Sequence, residues 1–283
     1  MRQAVPAVGS AGGRCYTLGM MPVCSATPTA FRWRVTGRSP LPVTQALPVA
    51  CAARNALMRA MNRLGVARLP DDFHHAFRGR GHSAYWLPED ADGDGLIDHV
   101  LLVHLDGLPE ALIPAMALGG EIGFGGGWSW RLAPVWMGTA GPGGLFGPAR
   151  CWISQTPFVT PLPADRQTGP GKPARPRASR ALAEQIVKAL GQASRPVPVN
   201  IEVFTARKIG GTLIVPANFA FDGLGHRPPP AGAETAFVML RFGEALWGPM
   251  ALGFGAQSGL GLFQPMQESE PAKHLTAEAT ADS

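Results

Sequence analysis

Seven histidines punctuate the chain: His74, His75, His82, His99, His104, His226 and His274. Their spacing forms no HExxH and no other close metal-ligand set, and there is no GxSxG elbow. Zinc-hydrolase and serine-hydrolase chemistry therefore have no foothold. Three histidines keep basic company, because His74, His75 and His82 lie in or beside a loop carrying Arg78 and Arg80. That set suits a metal-free attack of a ribose 2′-OH on its own neighbouring phosphate. One group takes the hydroxyl proton, a second protonates the leaving 5′-oxygen, and arginine stabilises the charged phosphorane. Histidine serves both proton transfers because its pKa lies near neutral. His82 is the leading general acid or base, with His74 or His75 as partner. The alternative at each position is an ordinary loop histidine. His99 and His104 fall on an apolar run and read as structural.

A second constellation follows at once. Asp90, Asp92, Asp94 and Gly95 match positions 1, 3, 5 and 6 of an EF-hand loop, and Ile97 and Asp98 fit positions 8 and 9. Position 12 should supply a bidentate Glu and is Leu101. The flanks AYWLP and LIDHVLLVHL read as strands rather than the helices an EF-hand needs. Asp bonds its local backbone and Gly takes positive φ, so the run reads as a hairpin turn with carboxylates on its own amides. A weak, incidental cation site is the alternative. The expected site contains no metal and no cofactor.

Near the end of the chain, WGPMALGFGAQSGLGLFQP (247–265) is rich in glycine but has no Gly-Lys-Ser/Thr, so it is no Walker A loop. Bare glycine amides allow close approach to a phosphate backbone. Gly253, Gly255, Gln257, Gly259 and Gly261 are the candidate contacts. Charge is segregated in a way that suits a polyanion. Residues 1–80 carry eleven Arg and two acids, whereas residues 81–150 carry eight acids and two Arg. Lys172, Arg175 and Arg177 then come with no acid among them. With Arg59 and Arg63, one turn apart on a helix, they complete the candidate RNA-binding set. The alternative for these basic segments is a merely solvated surface.

The elements that must position these groups follow from periodicity. Residues 1–29 show none and read as a flexible arm. FRWRVT (31–36) alternates as a strand, and Thr44–Leu64 is helical, with Thr44 as cap and Ala46, Ala50, Ala53, Leu57, Met61 and Leu64 inward. The acidic turn joins two strands, Pro109–Leu118 is a second helix stopped by Gly119 and Gly120, and Trp128–Met137 is a strand. Strand–helix–strand–strand–helix–strand is the ferredoxin-like order. A second round runs from Cys151–Val159 through a helix, Arg180–Leu190, capped by Ser179 and stopped by Gly191. Strands at Val197–Thr205, Thr212–Phe219 and Thr235–Phe242 then lead to the Gly-rich end. The fold class is α+β: two tandem ferredoxin-like (RRM-like) folds at 30–140 and 150–266, with a C-terminal Gly-rich loop and a disordered tail at 267–283. No apolar run reaches the length of a membrane span. The four scattered cysteines, Cys15, Cys24, Cys51 and Cys151, give neither a disulfide framework nor a zinc site. A cytoplasmic protein is expected.

LPVTQAL (41–47), WLPEDADGDGLIDHV (86–100), WISQTPFV (152–159) and WGPMALGFG…GLGLF (247–263) together resemble a known family. The chain is similar to the CRISPR-associated repeat-processing endoribonucleases of the repeat-associated mysterious protein superfamily. The likeness is to the processing half of the fused type I-G (formerly I-U) subunit. The resemblance implies a pair of ferredoxin-like folds that bind the hairpin repeat of a CRISPR transcript and cut at its base without metal. It also implies retention on the crRNA 3′ hairpin beside other subunits of a type I-like effector complex, with 253–263 touching RNA. Relatives carry an upstream module, so a stand-alone processing subunit is expected here. The family's Gly-rich stretch has His-Phe where this chain has Gln257-Ser258. That departure motivates the alternative of a non-catalytic hairpin-binding subunit.

Overall fold

A computed structural model describes residues 15–18, 21–24, 27–66, 70, 73, 84–123, 129–139, 144–161, 178–221, 228–266 and 275–276. Among the described residues the first elements are two short antiparallel strands, β1 (Cys15–Leu18) and β2 (Met21–Cys24), where the sequence suggests only an arm. The first unit then runs β3 (Ala30–Gly37), α1 (Ala46–Arg63), β4 (Ala84–Glu89), β5 (His99–His104), α2 (Ile113–Leu118), a short β6 (Gly120–Ile122) and β7 (Trp130–Gly138). Its antiparallel sheet has the order β4-β5-β3-β7-β6. Without the edge strand β6, that is the ferredoxin-like arrangement expected from the element order.

Period-2 alternation decides the faces of this sheet. Phe31, Trp33, Trp86, Val100, Leu102 and Leu132 point to α1 and α2 and build the larger core. Alanines at Ala52, Ala53, Ala56 and Ala60 bring α1 close to the sheet, so close that a Cβ on Gly120 would press on Ala56. Three details differ from expectation. Thr44 makes no side-chain cap; Val43–Gln45 form a 3-10 turn leading into α1 instead. Leu64 is 48% exposed, because the helix has ended before it. Leu47 and Cys51 face neither the sheet nor solvent but the Gly-rich stretch of the second unit.

The second unit runs β8 (Ala149–Ser154), β9 (Phe158–Val159), α3 (Ala178–Gln192), β10 (Asn200–Phe204), β11 (Ala206–Ile209), β12 (Thr212–Ile214), β13 (Thr235–Leu246), β14 (Met250–Ala251) and β15 (Leu262–Met266). A last strand, β16 (Leu275–Thr276), lies in the segment expected to be disordered and pairs with β11. The sheet order β10-β13-β8-β15-β14 repeats that of the first unit, with β8, β10, β13 and β15 as the four core strands. The single strand expected over Cys151–Val159 is broken by Gln155–Pro157, whose polar groups serve the Gly-rich stretch. The strand expected over Thr212–Phe219 stops at Ile214, and Pro216–Asn218 turn as a 3-10 helix. The helix α3 packs Leu182, Ile186, Ala189 and Leu190 on Trp152, Val238 and Leu240. It starts ahead of Ser179 and runs past Gly191, so neither residue bounds it. Ser194 closes it at φ 53, with Arg195 N–H donating to Leu190 and Ser194 N–H to Gly191, a Schellman closure without glycine.

The two units share a seam. Leu87, Leu101 and Val103, on the sheet face turned away from α1, pack with Leu145, Phe146 and Leu262. The other face of the second sheet, through Cys151, Phe237 and Met239, is covered by Ile209, Ile214, Phe219 and, from the first unit, Val43.

Candidate nucleic-acid interface

In the first unit a helix, α2, fills the connection between the third and fourth core strands. In the second unit the same connection is the Gly-rich stretch, holding only β14 and a 3-10 turn, Ala256–Ser258. Without a helix to satisfy it, this backbone is held from outside and across its own turn. Gly261 N–H donates to Pro157 O at 2.9 Å, Phe254 N–H to Val159 O at 2.8 Å, and Leu252 N–H to Gly261 O at 2.9 Å. Thr156 Oγ1 donates to Gly259 O at 2.8 Å and accepts Leu262 N–H at 2.9 Å. Glycine is required at two of these places. Gly259 (φ 83) lies against Pro88 of the first unit, and a Cβ on Gly261 (φ 56) would overlap the carbonyl of Leu252.

The seam divides the expected RNA contacts in two. Gly259 and Gly261 are buried, with Leu260 seated on Leu47 and Cys51 of α1. Gly253, Gly255 and Gln257 are half-buried and form the accessible arc. Arg59 and Arg63 are exposed as expected, and Arg59 Nη2 donates to Glu121 O at 2.6 Å. They stand near the C-terminal end of α1, whereas the Gly-rich stretch meets its N-terminal half. At 1.5 Å per residue, Cys51 and Arg63 are about 18 Å apart along the axis. The two sets are thus not brought together.

His74, His75, His82, Arg78, Arg80, Lys172, Arg175 and Arg177 lie outside the described residues. The nearest described neighbours before and after the histidine loop are Phe73 and Ala84. Phe73 is buried and stacks on His104, with ring centroids 4.9 Å apart. His104 is therefore part of the packing, in keeping with its structural reading.

One charged group escaped the sequence reading. Arg32 Nη2 lies 2.5 Å from Glu89 Oε2 and 3.2 Å from His99 Nδ1. Glu89 is almost fully buried, and burial raises its pKa even though Arg32 pulls it down. His99 is driven down to about 4 by burial first and then by the Arg32 guanidinium. It is neutral at pH 7 and is no proton donor there. Register explains the trio. Glu89 faces His99, His99 faces Arg34, and Arg32 is one pair further along the same sheet face. The alternation in FRWRVT carried that information, but the pairing partners were not legible.

The acidic turn is wired as its Asp-Gly chemistry suggests. Asp90 accepts Gly93 N–H at 2.8 Å and Gly95 N–H at 3.0 Å, Asp92 accepts Asp94 N–H, Asp94 accepts Leu96 N–H, and Asp98 accepts Ala91 N–H. The turn is pinned to the entry of α1 through Val43 N–H on Gly95 O and Ile97 N–H on Leu41 O.

No family model and no curated protein matches this chain. Two of the solved structures similar to this chain are the following. A Cas6 product complex is 17% identical, with 86% of this chain and all of that chain covered, at a TM-score of 0.39. A RAMP protein binding different RNA substrates is 13% identical, with 85% of this chain and all of that chain covered, at a TM-score of 0.36. At this distance neither activity transfers with the outline.

Proposed function

We propose that the protein matures CRISPR RNA. It binds the repeat hairpin of a precursor transcript and cuts it by 2′-OH attack, leaving a cyclic phosphate. It then stays on the crRNA 3′ hairpin as a subunit of a type I-like effector complex. The observation that carries this reading is the repeated strand order, with the second helix of the second unit replaced by a Gly-rich stretch docked on α1. A pair of ferredoxin-like folds is what the sequence resemblance implies. The accessible arc Gly253–Gln257 approaches the RNA backbone, and Arg78, Arg80, Lys172, Arg175 and Arg177 supply positive charge. His82, with His74 or His75, moves the protons, and no metal takes part. Among the described residues no helix is long and apolar enough to cross a membrane.

Incubating the protein with its repeat RNA in EDTA, where a melting curve shows it folded, tests the reading. Cleavage is expected, and it should be lost when His74, His75 and His82 are all changed to Ala. Cleavage that survives the triple change would remove these histidines from the mechanism.

One observation favours a second reading. Gln257 and Ser258 stand where relatives carry His-Phe, and Ser258 is buried beneath the loop. A hairpin-capping subunit without cleavage would bind the repeat tightly, in a salt-dependent way, and return it intact.

A further inference from the structure

The edge of a sheet presents unpaired backbone groups, and folded proteins blunt such edges. Three of the four ends of the two main sheets are blunted here. β4 carries Pro88 and has Gly259 pressed against it, β6 has three residues, and β14 has two. The strand β10 at the remaining end is different. It is five residues long, holds no proline and no lysine, and pairs only with β13. Among the described residues its outward N–H and C=O groups meet no other backbone.

The chain just before β10 adds apolar surface to this edge. Arg195 Nη1 donates to Trp247 O at 2.6 Å and Nη2 to Pro249 O at 3.1 Å, and Val199 Cγ1 would touch a Cβ on Gly243. Residues 195–199 therefore run alongside 243–247. Val197 and Val199 are 66% and 68% exposed there. Pro196 and Pro198 have no N–H, so they stop any added ladder on that side. The stretch open to pairing is 199–204.

The same edge of a second copy fits this stretch. Two identical strands in one sheet pair antiparallel about a two-fold axis, and side chains opposite one another share a face. That parity leaves the axis at Asn200, Ile201 or Glu202. With the axis at Asn200, Pro198 falls opposite Glu202, inside the ladder. With the axis at Glu202, two carboxylates stand opposite each other, which destabilises. The axis at Ile201 avoids both. Ile201 then meets its own copy, Val199 meets Val203, and Asn200 meets Glu202 twice over. Asn200 Nδ2 already donates to Glu202 Oε1 at 2.9 Å along one strand, so these groups are suited to bond across the axis as well.

We propose that β10 is a self-association edge, at which two copies of the chain pair antiparallel about Ile201 and join their second sheets into one. The exposed Val199 gains Val203 of the second copy as its neighbour. So short a ladder buries less than a standard interface, and the dimer is weak and concentration-dependent. The inference stands on the second sheet alone and does not rest on the RNA reading.

The test is sedimentation equilibrium of the full chain without RNA, at loadings up to about 0.5 mM, with a melting curve for each variant. Wild type should pass from one chain to two as the concentration rises. Asn200→Lys sets a cation opposite Glu202 and should tighten the dimer about fivefold, whereas Asn200→Glu opposes two carboxylates and should weaken it about fivefold. Position 200 is exposed, so both variants keep the fold. Wild type that remains a single chain at every loading would overturn the proposal. Equal association in all three proteins would also overturn it, by placing the contact on another surface. Growth beyond two chains would contradict a closed two-fold pairing.

Discussion

Thr156 and Gly259 are joined by a buried hydrogen bond of 2.8 Å from Oγ1 to the glycine carbonyl. The same hydroxyl oxygen receives the Leu262 amide, so one side chain satisfies both the turn at Gly259 and the first residue of β15. Thr156→Val keeps the shape and leaves two backbone groups without partners. A loss of about 2–4 kcal/mol is expected in urea unfolding, with Thr156→Ser close to wild type.

Gly259 is also the point where the second unit presses on Pro88 of the first. Pro88 is rigid, and a residue with a Cβ is strained at φ 83. Gly259→Ala should destabilise by more than about 1 kcal/mol. Hydrogen exchange should quicken at Leu260 and Leu262, whereas the β3–β5 amides keep their protection.

The alternation of apolar and polar residues made both sheets legible in the sequence, because one-residue register fixes which side chains reach the core. The DADGDG turn was legible for a local reason: each Asp bonds an amide within a few residues. The packing of the Gly-rich stretch was not. Its partners, Thr156, Pro88 and Leu47, are remote in the chain, and glycine has no side chain whose pattern betrays a buried face. Arg32 was missed because its partners Glu89 and His99 lie on two other strands. The hairpin Cys15–Leu18 and Met21–Cys24 was missed because Gly- and Pro-rich flanks masked two very short strands.

Arg32 and Glu89 form an ion pair in which the carboxylate is buried and the guanidinium is 31% exposed. Arg32→Met strands the carboxylate and should cost about 3 kcal/mol, the lower end for breaking a buried pair. The double change Arg32→Met with Glu89→Leu should recover most of that loss. Equal losses in the single and double variants would show that packing, not charge, decides the site.

Cys51, under Leu260, is raised by burial from 9.0 to about 11, with Arg54 pulling the other way. Below pH 9 the thiol is protonated in both folded and unfolded chains and gives no pH dependence. Between about pH 9 and 11 the unfolded chain releases the proton first, so stability falls as pH rises, by about 2–3 kcal/mol in all. Urea midpoints for wild type and Cys51→Ala should converge over that range. A wild-type midpoint that stays flat up to pH 11 would contradict the burial of the thiol.

Lys172, Arg175 and Arg177 carry charge to the phosphates in the proposed complex. Changing all three to Ala should weaken repeat-RNA binding. The slope of log K against log salt should shrink by about 2, from about 0.7 per phosphate contact on single strands. An unchanged slope would place these residues away from RNA.

The central claim is that the chain cuts RNA through the ribose hydroxyl. The most direct measurement uses repeat RNA with a single 2′-deoxy nucleotide on the 5′ side of the cut, beside the all-ribose strand. The account predicts a 2′,3′-cyclic phosphate end on the all-ribose product and no cut at the substituted position, with binding of both strands equal. Equal cutting of both strands, or recovery of both intact, would contradict it.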